Sequence, residues 1–93
     1  MLFEWDEEKD GINLKKHGVS FAEASTVFGD LSAKMFYDDE HSVDEIREFI
    51  VGYSDLNRLL VVYFTERENN RVRIISARKP TNIEREDYEE DGK

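Results

Sequence analysis

The sequence predicts an α+β domain, with two N-terminal helices packed on an antiparallel sheet of about four strands and a C-terminal helix. Three observations carry that expectation. Leu59 to Phe64 and Val72 to Ala77 are apolar runs rich in β-branched and aromatic residues, and the polar stretch between them can turn, so they read as a central hairpin. Asp6 and Ser20 each precede a helical pattern, and Gly18 and Gly29 stand where such helices stop. Thr81 and Glu84, just past Pro80, have the spacing of a capping box that opens a last helix.

Leu2 to Trp5 alternates apolar and polar residues and reads as a short edge strand. Asp6 is a suitable N-cap, with Glu7 and Glu8 in the first turn where the helix dipole favours negative charge. This helix runs to about His17, placing Lys15, Lys16 and His17 at the opposite pole. Ser20 and Glu23 form a capping box for the second helix, Val19 can staple onto Ala24, and Phe21, Ala24, Ser25 and Phe28 make its buried face. Ala33 to Tyr37 is the next strand. Residues 38–45, DDEHSVDE, hold five acids in eight positions and read as a solvated loop. Asp38, Asp39, Glu40 and His41 are possible ligand types, but consecutive side chains alternate in direction and close poorly on one ion, so no metal site is expected.

Ile46 to Ser54 forms a strand that turns at Asp55, Leu56 and Asn57 into the hairpin. With Asn69 and Asn70 at the hairpin turn, where Asn tolerates positive φ, Glu68 lies opposite Arg71, Glu66 opposite Arg73 and Val61 opposite Arg78. In this register Leu60, Val62, Phe64, Ile75 and Ala77 share one face. Leu59, Val61, Tyr63, Thr65, Arg67, Val72, Ile74, Ser76 and Arg78 share the other. The last helix continues to about Glu90.

The chain has 93 residues, enough for one core, and residues 1–93 are read as a single domain. It lacks cysteine, its apolar runs fall short of membrane length, and its first ten residues are acidic and amphipathic rather than signal-like. A soluble, cytoplasmic protein without membrane association is expected. There is no Gly-rich phosphate loop, zinc-ligand spacing or nucleophile elbow, so nucleotide-dependent and acyl-transfer chemistries have no support and no cofactor is expected.

The net charge is -9, but the distribution is uneven. Residues 58–85 carry seven basic and three acidic side chains, a local +4 that leaves -13 for the rest. A cationic sheet within an acidic shell suits a local polyanion site, unless its arginines simply pair with neighbouring acids. Arg78 sits on an otherwise apolar strand and must reach solvent, a cleft or a partner, because burying it alone would cost several kcal/mol. Arg85 and Tyr88 lie i, i+3 on the last helix, which begins close to Arg78, so the three can converge. Tyr88 can equally be core packing beside Ile83. His17, beside Lys15 and Lys16 at a helix end, is better placed for proton transfer than His41, although a histidine there can serve only as a cap. Glu66 could act as a base, but its expected partner Arg73 makes an ion pair the simpler reading.

The segments FEWDEEKDGINLKKHGVSFAEASTVFGD, YDDEH, IREFIVGYS, RLLVVYFTER and VRIISARKPTNIEREDYE resemble the BrnT toxins of bacterial type II toxin-antitoxin systems, in the RelE-like ribonuclease superfamily. The resemblance spans almost the whole chain. It implies a RelE-like α+β fold, metal-independent RNA cleavage that inhibits translation, and a cytoplasmic location. It also implies neutralisation by a BrnA-like antitoxin whose ribbon-helix-helix domain binds DNA, so that DNA is met only through the antitoxin. His17, Arg78, Arg85 and Tyr88 are then the catalytic candidates; Lys15, Lys16, Arg67 and Arg78 are the RNA-binding candidates. Tyr63, Arg67 and Arg78 are expected to meet an acidic antitoxin segment on an uncovered sheet face. The toxin is expected to be a monomer alone, with two toxin and two antitoxin chains in the complex. One departure is the acidic last helix, NIEREDYEED, where many BrnT toxins are more basic. A rival reading from another class is a non-catalytic module that serves as the toxin half of an autorepressor complex.

Overall fold

The computed structural model describes residues 1–43 and 45–91. Asp44, within the acidic loop expected from the sequence, lies outside the described residues. In chain order the elements are β1 (Leu2–Glu4), α1 (Glu7–His17), α2 (Phe21–Thr26), β2 (Lys34–Tyr37), β3 (Glu48–Tyr53), β4 (Leu59–Arg67), β5 (Arg71–Arg78) and α3 (Asn82–Asp91). Short 3-10 turns follow α2 at Val27–Gly29 and β2 at Asp39–His41.

The α+β class and the three α-helices match the expectation, but the sheet differs from it. Five strands, not about four, are arranged β1-β5-β4-β3-β2, and β1 runs parallel to β5, so the sheet is mixed rather than antiparallel. The reason lies in α1. With α2 it carries the chain from β1 over the sheet to β2 at the far edge, and three antiparallel pairings later β5 returns beside β1 running the same way. Glu4 then bridges Arg71 and Arg73 of β5, each at 3.0 Å.

Local chemistry sets the ends of the helices. Asp6 Oδ1 accepts from the backbone N–H groups of Glu8 and Lys9, and Gly18, at φ 71°, ends α1 in the left-handed conformation that glycine adopts without steric cost. Ser20 Oγ accepts from Glu23 N at 3.1 Å, but the reverse arm of the expected capping box is absent: Glu23 turns inward to Ser54 and Arg58. Thr81 and Glu84 do form the full reciprocal box, at 3.1 and 2.8 Å. Helix α2 stops at Thr26, short of the expected Phe28, and the following 3-10 turn buries Val27 against β3. Gly52 permits that approach, because a Cβ there would lie 2.7 Å from the Ala33 Cβ.

The central hairpin corrects the expected register. Asn69 and Asn70 do take positive φ, 62° and 59°. The loop is nevertheless three residues, Glu68 to Asn70, so Arg67 faces Arg71, Thr65 faces Arg73 and Glu66 faces Val72. An irregularity after Tyr63 restores the pairing of Val61 with Arg78, leaving Ile75 as the extra residue on β5. A bulge re-aims everything on one side of it. Val72 and Ile74, expected to share Arg78's face, lie in the main core with Phe21, Phe64 and Leu60, under α1 and α2. The expected Glu66–Arg73 pair is replaced by Glu4–Arg73.

The opposite sheet face is not left open as the sequence suggested. Tyr88 of α3 packs with Tyr53, Tyr63 and Phe49 over a smaller cluster of Val51, Leu59 and Val61. Strand β5 outruns β1, and its exposed stretch is closed by a side chain. The carboxamide of buried Asn13 donates to Ala77 O at 2.8 Å, accepts from Ala77 N at 3.1 Å and donates to Val19 O at 2.8 Å. Replacing Asn13 by Ala leaves three backbone groups without their partners, and each such buried group costs roughly 1–3 kcal/mol. Asn13→Ala should therefore lower the urea-unfolding free energy by about 3 kcal/mol or more, whereas Ala22→Ser on the exposed side of α2 should change it little.

Candidate nucleic-acid site

The cationic residues divide sharply into those already paired and those available. Six arginines hold glutamates: Arg58 with Glu23, Arg67 with Glu45, Arg71 and Arg73 with Glu4, Arg78 with Glu84, and Arg85 with Glu89. By contrast, Lys9, Lys15, Lys16 and Lys79 have no carboxylate at ion-pair distance among the described residues.

Arg78 is the most committed of the six. Its guanidinium grips Glu84 with two parallel bonds of 2.7 and 3.0 Å, donates to Tyr63 Oη at 3.2 Å, and sits 5.8 Å from the Tyr63 ring centroid. This fork-to-fork contact draws the Glu84 carboxyl down to about 2, partial burial opposing it and the Thr81 N–H assisting, and it raises Arg78. Tyr63 belongs to a row of aromatic rings in cross-strand register, Phe36 on Phe49 at 5.0 Å and Phe49 on Tyr63 at 5.4 Å.

Arg85 bonds to Glu89 at 3.2 Å on the exposed side of α3. Tyr88 donates to Ser32 O at 3.2 Å, and the raised pKa of its phenol comes first from burial. Both therefore have structural partners of their own. Arg67 reaches Glu45 at 3.4 Å, and Glu66 is exposed beside Glu48, whose carboxyl is raised by burial and then by the Glu66 charge.

A second assembly surrounds the C-terminal end of α1. Lys9, Ile12, Asn13 and Lys16 recur at i, i+3, i+4 and i+7, so they share one helix face. With His17 they line a shallow hollow of about 200 Å³ against Ile75 and Ser76 of β5. No carboxylate lines it, whereas three other hollows all have acidic walls. The end of α1 is held firmly. Arg58 donates to Gly18 O at 2.9 Å while its Nε holds Glu23 at 2.9 Å, and that contact lowers the Glu23 carboxyl against the opposing effect of burial. Lys16 and His17 are thus brought together as expected, with Lys9 and Ser76 added. Lys9 was legible in the α1 stripe, but Ser76 was not, because its position depends on the bulge. Arg78 lies two residues beyond Ser76, about 7 Å along the strand.

In the acidic loop, Asp38 accepts from His41 Nδ1 at 3.0 Å, and among the described residues no three His, Asp or Glu side chains are grouped as metal ligands. No helix of the described residues is long and apolar enough to cross a membrane.

A mixed five-stranded sheet with α1 and α2 on one face, α3 on the other and a cationic hollow at its edge defines a small α+β protein. A crystal structure of the Brucella abortus ribonuclease toxin BrnT is similar to this chain at 26% identity and a TM-score of 0.66, covering 88% of this chain and 100% of that one. The family model described as "Ribonuclease toxin, BrnT, of type II toxin-antitoxin system" matches residues 5–84, and the chain belongs to that family. A comparison with curated proteins gave no match.

The Arg78–Glu84 contact makes a pH prediction. Glu84 is ordinarily near 4.5 and is about 2 in the fold, so its contribution is complete above pH 4.5 and fades as pH falls toward 2. Urea midpoints of the parent should exceed those of Glu84→Gln at pH 7, and the gap should close between about pH 4.5 and 2. A gap independent of pH would show that the ion pair is not its source.

Proposed function

We propose that this toxin cleaves RNA without a metal and that the α1 hollow receives the scissile phosphate. In the reaction the RNA 2′-oxygen forms a bond to the adjacent phosphorus while the bond from phosphorus to the 5′-oxygen breaks. One proton leaves the 2′-hydroxyl and one is delivered to the 5′-oxygen, giving a 2′,3′-cyclic phosphate and a free 5′-hydroxyl. The single observation that carries this assignment is the grouping of Lys9, Lys16 and His17 around a hollow without carboxylates. Lysine ammonium groups supply the cationic field for the dianionic phosphorane, and an imidazole is suited to moving protons near neutral pH.

Lys15 lies next in sequence to Lys16 and extends the cationic cluster at the C-terminal end of α1. Arg78, with Tyr63, adds a second contact point along β5 once Glu84 yields to phosphate. In this arrangement RNA is recognised at the β5 edge. Family membership supports an antitoxin partner. A BrnA-like ribbon-helix-helix protein, dimeric by its fold, would assemble two toxin chains with two antitoxin chains and bring the complex to DNA.

The assay is purified chain with total RNA in EDTA. The parent should generate cyclic-phosphate ends, and His17→Ala and Lys16→Ala should each slow cleavage by about 100-fold, the scale for losing one charge-stabilising or proton-transfer group. Arg78→Ala losing all activity while Lys16→Ala keeps it would move the site to the Tyr63 end. No cleavage by the parent at any concentration would favour the non-catalytic toxin half of a repressor complex.

A further inference from the structure

One edge of the sheet is short and partly capped, and the other is open. At the first edge, β1 is only three residues long and the Asn13 carboxamide seals β5 beyond it. At the other edge stands β2, Lys34–Tyr37, paired with β3 in continuous register and with no strand outside it among the described residues. Proteins usually blunt such an edge with proline, a bulge or charge. Strand β2 has neither proline nor bulge, and after Lys34 it presents Met35, Phe36 and Tyr37, which are 52%, 44% and 70% exposed. By alternation, Phe36 faces the α3 side while Met35 and Tyr37 face the other, so an added strand would bury apolar surface on both faces as well as pairing backbone groups.

The charges beside this edge specify what could add to it. On Phe36's side, a groove of about 370 Å³ runs between β2 and α3, where Lys34 of β2 stands among Glu84, Asp87 and Glu90, an excess of acid. On Tyr37's side, a hollow of about 310 Å³ is walled by Glu45, Glu48 and Glu66. Burial, and then the Glu66 charge, raises the Glu48 carboxyl, while Arg67 offsets Glu45 on the same wall. Both sides of the open strand are therefore apolar near the backbone and acidic at the rim. A polyanion is repelled by such walls. A second copy pairing β2 with β2 would bring two acidic rims together, which like-charge repulsion opposes.

We propose that β2 is the edge on which the neutralising antitoxin docks, by adding an extended segment that alternates apolar residues with Lys or Arg. The assignment rests on membership of a toxin-antitoxin family and is independent of where RNA is cut. It also places the partner's charge opposite to that expected from Tyr63, Arg67 and Arg78, two of which are arginines already holding carboxylates.

Hydrogen exchange of the free chain and of the complex co-purified with its antitoxin tests this directly. Amides of residues 34–37 should slow by at least 10-fold in the complex, and unchanged exchange there would overturn the proposal. Slowing in the free chain that grows with concentration, with a dimer in light scattering, would assign the edge to a second copy. Slowing caused by polyuridylate but not by the antitoxin would assign it to RNA. A charge-reversal pair supplies an independent readout. Met35→Lys with Tyr37→Lys should weaken the complex about 100-fold, whereas Met35→Glu with Tyr37→Glu should keep affinity within about 10-fold of the parent, since like-charge contacts cost several kcal/mol and opposite ones do not. Equal effects of the two double variants would sink the charge assignment. Neither variant touches the α1 hollow, so RNA cleavage by the free chain should remain at the parental rate. Absence of cleavage in parent and variants alike would count against the catalytic reading alone.

Discussion

The carboxamide of Asn13 is the constraint on which the arrangement of this molecule depends. A strand at a sheet edge must satisfy its outward backbone groups, and β1 is too short to do so for all of β5. Asn13 takes over at Ala77 with one donor and one acceptor, the same pair a neighbouring strand would offer, and its second amide hydrogen holds the connection into α2 at Val19 O. One side chain thereby fixes α1, the α1–α2 corner and the end of β5 relative to one another. Lys16 and His17, in the next turn of α1, inherit that fixed position beside Ser76.

Charge pairing explains how so acidic a chain can present a cationic site. Glu4, Glu23, Glu45, Glu84 and Glu89 together hold six arginines, and the pairs are distributed over both ends of the sheet and α3. At Arg58 and Arg78 the planar guanidinium fork matches a carboxylate in two bonds at once, a geometry that arginine offers and lysine does not. The lysines at the end of α1 are left to set the local field. Most of the remaining surface is acidic, and self-repulsion there disfavours indiscriminate binding of RNA.

Much of this was visible before any tertiary structure. The Asp6 cap, the Gly18 stop and the Thr81–Glu84 box each depend on residues within a few positions, and each stands as expected. The neighbouring placement of Lys16 and His17 in the last turn of α1 was legible for the same reason. What escaped was non-local. The hairpin loop was one residue longer than a two-residue Asn-Asn turn, and since strand side chains alternate with period two, that single residue moved Val72 and Ile74 into the main core. Glu84 was recognised as a cap, yet nothing local showed that its carboxylate would reach back to Arg78.

By itself, then, the sequence determined the class of fold, the ends of α1, the start of α3 and the presence of the central hairpin, because periodicity, capping and turn chemistry act over short separations, and its motifs carried the family resemblance. Tertiary structure decided the parallel placement of β1, the partner of each arginine, the exposed edge of β2 and the meeting of α1 with Ser76. Those depend on which backbone groups and charges remain unsatisfied once the chain has closed on itself, and a carboxamide such as that of Asn13 finds its partner 64 residues away only when the core has brought the two together.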